Sequence, residues 1–304
     1  MVSLAILAVF AVVLIPEPSD SKHGGPPTSA RPAPVLPPPP IAPSRALPFF
    51  RQAERCDGPQ QFAQAAAWNG RSAQELEWAP FRRPESGWEI YAPLIGREID
   101  STCALDSPAF AAALARWQRE HRLRGDGAFT ALDFALMNGR WQQVRDAVRR
   151  RGECPMPPPE NALAIAAPNE SYGGKLIQLR PGALSAYQAM IAAARTDNPG
   201  LAPQYFQIFS AFRSPEYDAA RCAHDGNCDG IRRAVSCSPH RTGLAMDLYL
   251  GAAPGYGPDS SQDENRLYIS RGPAYRWLVA NAGRFGFVNY PFEPWHWEWT
   301  GEPW

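Results

Sequence analysis

Two short stretches near the C-terminus hold the residues best suited to chemistry: Ser238-Pro239-His240-Arg241-Thr242-Gly243-Leu244-Ala245-Met246-Asp247 and Glu293-Pro294-Trp295-His296. They offer two imidazoles, one carboxylate that could join them on a cation, and a further carboxylate beside the second imidazole. Two nitrogens and one oxygen fill three positions of a tetrahedral zinc ion and leave the fourth to water, which distinguishes a hydrolytic site from a closed structural one. Water held there sheds its proton near neutral pH, and an uncoordinated glutamate can accept it. The expected assignment is His240, Asp247 and His296 as metal ligands with Glu293 as general base. Each motif alone is ordinary, since a strand aspartate beside a histidine is commonly a hydrogen-bonded pair. Scarcity strengthens the pattern: of five histidines, His23 lies in a proline-rich tract and two of the other four fall in these motifs.

The elements that must position these residues can be read from periodicity. Leu244 to Leu250 alternates, with Ala245, Asp247 and Tyr249 on one side and Leu244, Met246, Leu248 and Leu250 on the other, as in a strand presenting Asp247 to a cleft. Gly243 argues for a loop between His240 and that strand. Tyr205 to Ser210 reads as a strand from its aromatic and β-branched content. Leu184, Tyr187, Met190, Ile191 and Ala194 give one apolar helical face over Pro181 to Arg195. Ser270 to Arg284 reads as a helix, and Phe287 to Tyr290 and Trp295 to Trp299 as short strands.

Upstream, the expected division is 1–48 as a signal or anchor plus linker, 49–160 as a helical domain and 161–304 as the domain carrying the motifs. Residues 3–15 include the apolar run LAILAVFAVVLI, which fits a secretory h-region or an uncleaved membrane tether and is short for a spanning helix. Residues 16–48 are rich in Pro, Ser, Ala and Gly, a composition that stays extended because it cannot bury enough apolar surface. Ser107 and Pro108 read as N-cap and first helical position, with Phe110, Leu114, Trp117 and His121 at helical spacing. After the Arg124-Gly125-Asp126-Gly127 turn, Phe129, Leu132, Leu136 and Met137 indicate a second helix. This helix, Asp-Gly turn, helix order, around residues 109–136, resembles the latter half of a small peptidoglycan-binding repeat. His121 reads as a packed or surface residue.

Lys plus Arg and Asp plus Glu number 30 each, so there is no basic excess of the kind nucleic-acid binding requires. Six cysteines, an even number, fit disulfides in an exported protein, with fifteen pairings open. Localisation in the periplasm or cell envelope, with a tether to the inner membrane through residues 3–15, is the matching expectation. A Cys222–Cys228 bridge fits, and Cys237 abuts the His240 loop. Asp225, Asn227, Asp229 and Gly230 match the first half of a calcium loop, but Ser236 stands where its closing glutamate belongs.

Three ordered motifs together carry a family resemblance. SPHRTGLAMD matches the S-x-H-x-x-G-x-A-x-D pattern of the zinc D-alanyl-D-alanine peptidases, and EPWHWEW matches the E-x-W-H segment of VanY-type carboxypeptidases. SAFRSPEY is similar to the family's S-G-Y-R-S segment, with Ala211 and Phe212 as departures. The resemblance covers roughly 174–304. It implies an α+β fold shared with hedgehog-type domains, a small antiparallel sheet flanked by helices, preceded here by the helical unit. It also implies zinc on His240, Asp247 and His296, Glu293 as base, and Arg213 as the arginine that meets a substrate carboxylate or the developing oxyanion. Ser238 would order the metal loop or contact substrate, and Trp295 would form a pocket wall. Trp297 after His296 departs from the branch that carries H-x-H. The implied activity is removal of terminal D-Ala from peptidoglycan stem peptides by metal-activated water. A peptidoglycan endopeptidase, a D-Ala-D-Ala dipeptidase and a non-catalytic cell-wall-binding protein are the alternatives.

Overall fold

The computed structural model describes residues 56–149, 156–225 and 238–301. The first part is helical: α1 (Ala63–Glu75), a two-residue hairpin of β1 (Glu77–Trp78) and β2 (Glu85–Ser86), α2 (Ala92–Glu98), α3 (Pro108–Glu120), α4 (Ala131–Gln143) and the single turn α5 (Asp146–Arg149). Ser107 caps α3 by accepting from the Phe110 amide at 3.2 Å, with Pro108 in the first turn. Thr130 and Asp133 form a reciprocal capping box at the start of α4. Both devices occupy helix-end groups that would otherwise lack partners. A Cys56–Cys103 disulfide closes this part. Trp88, Tyr91, Phe110, Phe129 and Phe134 fill its core, and His121 stacks on Trp117.

The second part begins with the hairpin β3 (Ala164–Ile165) and β4 (Gln178–Leu179), followed by α6 (Pro181–Asp197), β5 (Ile208–Ser210), α7 (Pro215–Asp225), β6 (Ala245–Leu248), α8 (Asp263–Arg271), α9 (Pro273–Asn281), β7 (Phe287–Tyr290) and β8 (Glu293–Trp299). The last four strands form one antiparallel sheet in the order β5-β6-β8-β7. Helices α6 and α9 pack on it through Leu184, Tyr187, Met190, Tyr275 and Leu278. The class is α+β. The helical part has its own apolar core, and the described residues as a whole belong to one compact unit. Among them no helix is long and apolar enough to cross a membrane.

Three elements differ from the sequence expectation. The strand expected from Tyr205 begins only at Ile208, because Phe206 takes a left-handed backbone (φ 68°) that interrupts extension. The single helix expected over Ser270–Arg284 is instead the end of α8 and all of α9. Gly272 is extended (ψ 148°), and Pro273, lacking an amide hydrogen, can start a helix but not continue one. Strand β6 is buried along its whole length, Asp247 included, rather than presenting that side chain to an open cleft. The apolar run at 3–15, the proline-rich tract, the calcium-loop pattern and the Cys222–Cys228 pairing fall wholly or partly outside the described residues. Cys222 itself is disulfide-bonded.

Candidate metal centre

The sheet register brings the two motifs together. On adjacent antiparallel strands β6 and β8, Asp247 lies directly opposite His296, so the two side chains emerge on one face. His240 comes from the turn just before β6. There Ser238 caps a short 3-10 segment, Pro239–Thr242, by accepting from the His240 amide at 3.3 Å. Gly243 then reverses the chain with φ +71°, and a Cβ at this position would sit 2.9 Å from Leu163 Cδ2. Only glycine takes that backbone at no steric cost. The motif's glycine is therefore needed to turn the His240 segment into the strand that carries Asp247.

The three donor atoms face one another. His240 Nε2 lies 3.1 Å from His296 Nδ1 and 3.2 Å from Asp247 Oδ2, and His296 Nδ1 lies 2.9 Å from Asp247 Oδ1. A tetrahedral ion with ligand bonds of ~2.0–2.1 Å separates its donors by about 3.3 Å. The two nitrogens, 3.1 Å apart with an Asp247 oxygen within 3.2 Å of each, therefore stand at separations compatible with a shared metal ion. His240, Asp247 and His296 also form the one group of three or more such side chains among the described residues that could hold a metal ion. Each imidazole is oriented through its other nitrogen. His240 Nδ1 donates to the Ala211 carbonyl at 2.7 Å, and His296 Nε2 donates to Glu298 Oε1 at 3.1 Å. Such outer contacts fix which nitrogen is free for a metal. Glu298 and His296 share a face of β8 because they are two residues apart. That i, i+2 spacing in His296-Trp297-Glu298 was a readable signal for this carboxylate, which the sequence expectation left unused.

Protonation follows from burial and pairing. Burial holds His240 down at about 4, against the pull of Asp247. Burial also disfavours a charge on His296, but hydrogen bonds to Asp247 and Glu298 outweigh it and raise this imidazole to about 9. Asp247 is kept well below the usual carboxylate range: desolvation opposes this, but the two imidazoles prevail. For Glu298, burial acts upward, while the Arg145 guanidinium and His296 bring it down to about 2. Before a metal arrives, His296 therefore carries the proton that a ligand would have to give up.

Glu293 begins β8, and the pairing of β8 with β7 is irregular there: Asn289 faces Trp297, yet Tyr290 faces Glu293. The slack residues form a bulge, the kind of irregularity that re-aims a side chain. Asn289 organises it. Its amide nitrogen lies 2.8 Å from the His296 carbonyl and 3.3 Å from those of Glu293 and Pro294, while its oxygen accepts from Tyr275. The bulge brings the Glu293 carboxyl into the field of His296 and Asp247, although these residues differ in strand parity. Burial pushes the Glu293 carboxyl above the ordinary glutamate range, with His296 pulling the other way. Replacing Asn289 by Ala strands buried carbonyls and should destabilise the fold by about 1–3 kcal/mol for each left unpaired. Thermal denaturation of the metal-free variant checks this, and an unchanged melting temperature contradicts it.

Arg213 follows β5. Its amide donates to the His240 carbonyl at 3.3 Å, and its guanidinium donates to Ser238 Oγ at 2.8 Å and faces Asp218 at 3.4 Å. Asp218 is buried, and desolvation pushes its carboxyl up against the pull of Arg213 and Arg241. Ser238 thus joins the His240 turn to Arg213. Trp295 is 3% exposed and packs in the core with Trp297, so the side chain expected as a pocket wall lies within the protein.

Residues 176–302 match the family model described as VanY, D-alanyl-D-alanine carboxypeptidase. No curated protein matches the chain. The matched segment contains His240, Asp247, Glu293, His296, Arg213 and Ser238, and excludes the helical part.

Proposed function

From a VanY-type carboxypeptidase domain as premise, we propose that this protein is a zinc-dependent D,D-carboxypeptidase that removes the terminal D-Ala from peptidoglycan stem peptides. The observation carrying this reading is the triangle of His240 Nε2, His296 Nδ1 and Asp247, each imidazole held by its other nitrogen, with Glu293 recessed beside it. Two nitrogens and one oxygen suit zinc, whose tetrahedral preference would leave a fourth position for water. When bound there, the ion supplies Lewis acidity and lowers the pKa of a coordinated water.

The remaining work belongs to side chains. Glu293 takes a proton from the attacking water and delivers it to the leaving amine, so peptide and water become a shortened acid and free D-Ala. Its elevated pKa suits both steps, because the carboxyl must accept and then release the same proton. Arg213, fixed by Ser238 and Asp218, offers a guanidinium to the substrate's terminal carboxylate or to the developing oxyanion. Ser238 positions that guanidinium and the His240 turn together. The Cys56–Cys103 disulfide supports an exported protein of the cell envelope, with residues 3–15 as signal or tether. The helical part before residue 160 is proposed to bind the cell wall.

Incubation with a pentapeptide ending in D-Ala-D-Ala tests this reading. Release of one D-Ala, abolished by chelator and restored by zinc, is the expected result. Release of the dipeptide, or cleavage only of cross-linked material, favours the dipeptidase or endopeptidase alternatives. Wall binding without any cleavage overturns the enzymatic reading.

A further inference from the structure

The contact that orients His296 does not end within the matched domain. Glu298 accepts from His296 Nε2 at 3.1 Å and is in turn gripped by Arg145, whose Nε donates to Glu298 Oε1 at 2.8 Å and whose Nη2 donates to the same oxygen. Arg145 lies between α4 and α5, outside residues 176–302. It is 7% exposed, and its guanidinium also reaches Gln142 Oε1 and lies 4.4 Å from the centroid of the Tyr290 ring. Tyr290 in turn meets His296 edge-on. The helical part thus sends one buried cation behind the metal centre.

A carboxylate that fixes a ligating imidazole works only if it is itself fixed. Glu298 is buried with its charge, and removing its partner would leave that charge uncompensated in the interior. It would then turn toward water or pull His296 out of line. The guanidinium brings two N–H donors from its planar fork onto the one oxygen Glu298 Oε1, which constrains position and orientation in a way an ammonium cannot reproduce.

We infer that Arg145 is a positioning residue for the metal centre, acting through Glu298 on His296, and that the helical part therefore completes the outer shell of the zinc site. This rests on the zinc reading of the triangle given above.

The test uses the full chain and zinc itself, with affinity measured by competition against a chromophoric chelator at a temperature where each variant is folded. Arg145→Met should weaken zinc binding about 10–100-fold, the range found for lost outer-shell partners. Arg145→Lys should fall between it and the parent. Because Arg145 acts through Glu298, adding Arg145→Met to Glu298→Gln should change affinity by no more than about twofold, the size of the additivity error between independent sites. If Arg145→Met does not fold, the same comparison is made with Arg145→Lys in both backgrounds. Parental affinity in the Arg145 variants, or an equal loss with and without Glu298, overturns the inference while leaving the zinc reading intact. Failure of the parent chain to bind zinc overturns both.

Discussion

Glu293→Gln is expected to reduce D-Ala release by about 10²–10⁴-fold while zinc content stays at one equivalent per chain. Glutamine keeps the shape and half the hydrogen-bonding of the side chain but cannot take up a proton. The metal-type ligands are His240, Asp247 and His296, and Glu293 is not among them, so the ion should be retained. Turnover measured beside metal analysis separates the two effects. A variant that releases D-Ala at the parental rate removes Glu293 from the mechanism. One that loses zinc instead makes it a ligand.

A second large effect concerns pH. At neutral pH the metal-free site holds His296 protonated, since its pKa is raised to about 9, while His240 near 4 is already neutral and Asp247 is ionised. Zinc must displace that one proton from His296 Nδ1. Affinity should therefore rise about tenfold per pH unit between pH 6 and 8, roughly 100-fold in all, and level off above 9. The sign follows from the raised value: lowering the pH keeps the proton in place and competes with the metal. Chelator competition across this range gives the slope, and calorimetry in buffers of differing ionisation enthalpy counts the released proton. A flat profile would mean that His296 is already neutral without the metal.

How much of this was legible beforehand depends on how local the cause is. The caps of α3, the apolar stripe of α6 and the run of β7 were readable because each depends on residues within a few turns. The ligand-type residues were readable because their motifs are specific in order and spacing. The choice of His296 Nδ1 over Nε2 was not, because it depends on Glu298 and on strand register. Arg145 could not be identified at all. Its role comes from a contact across 153 positions, and nothing near it in sequence marks it out. The split between α8 and α9 has a local cause, the Gly272-Pro273 pair, since proline starts a helix but does not continue one.

Arg266 sets a limit on how this chain can be shortened. Its fully buried guanidinium donates to the Phe292 carbonyl, one residue before Glu293, and to the Tyr91 hydroxyl, and it faces Glu85 at 3.2 Å. Tyr91 and Glu85 both lie in the helical part. Cutting the gene at the edge of the matched segment would remove two of the partners of Arg266, leave Asp263 as its counter-charge and strip away part of what buries it. The smallest fragment worth expressing for enzymology should therefore begin near Cys56, and a fusion that transplants only the C-terminal half would carry this defect into its new host.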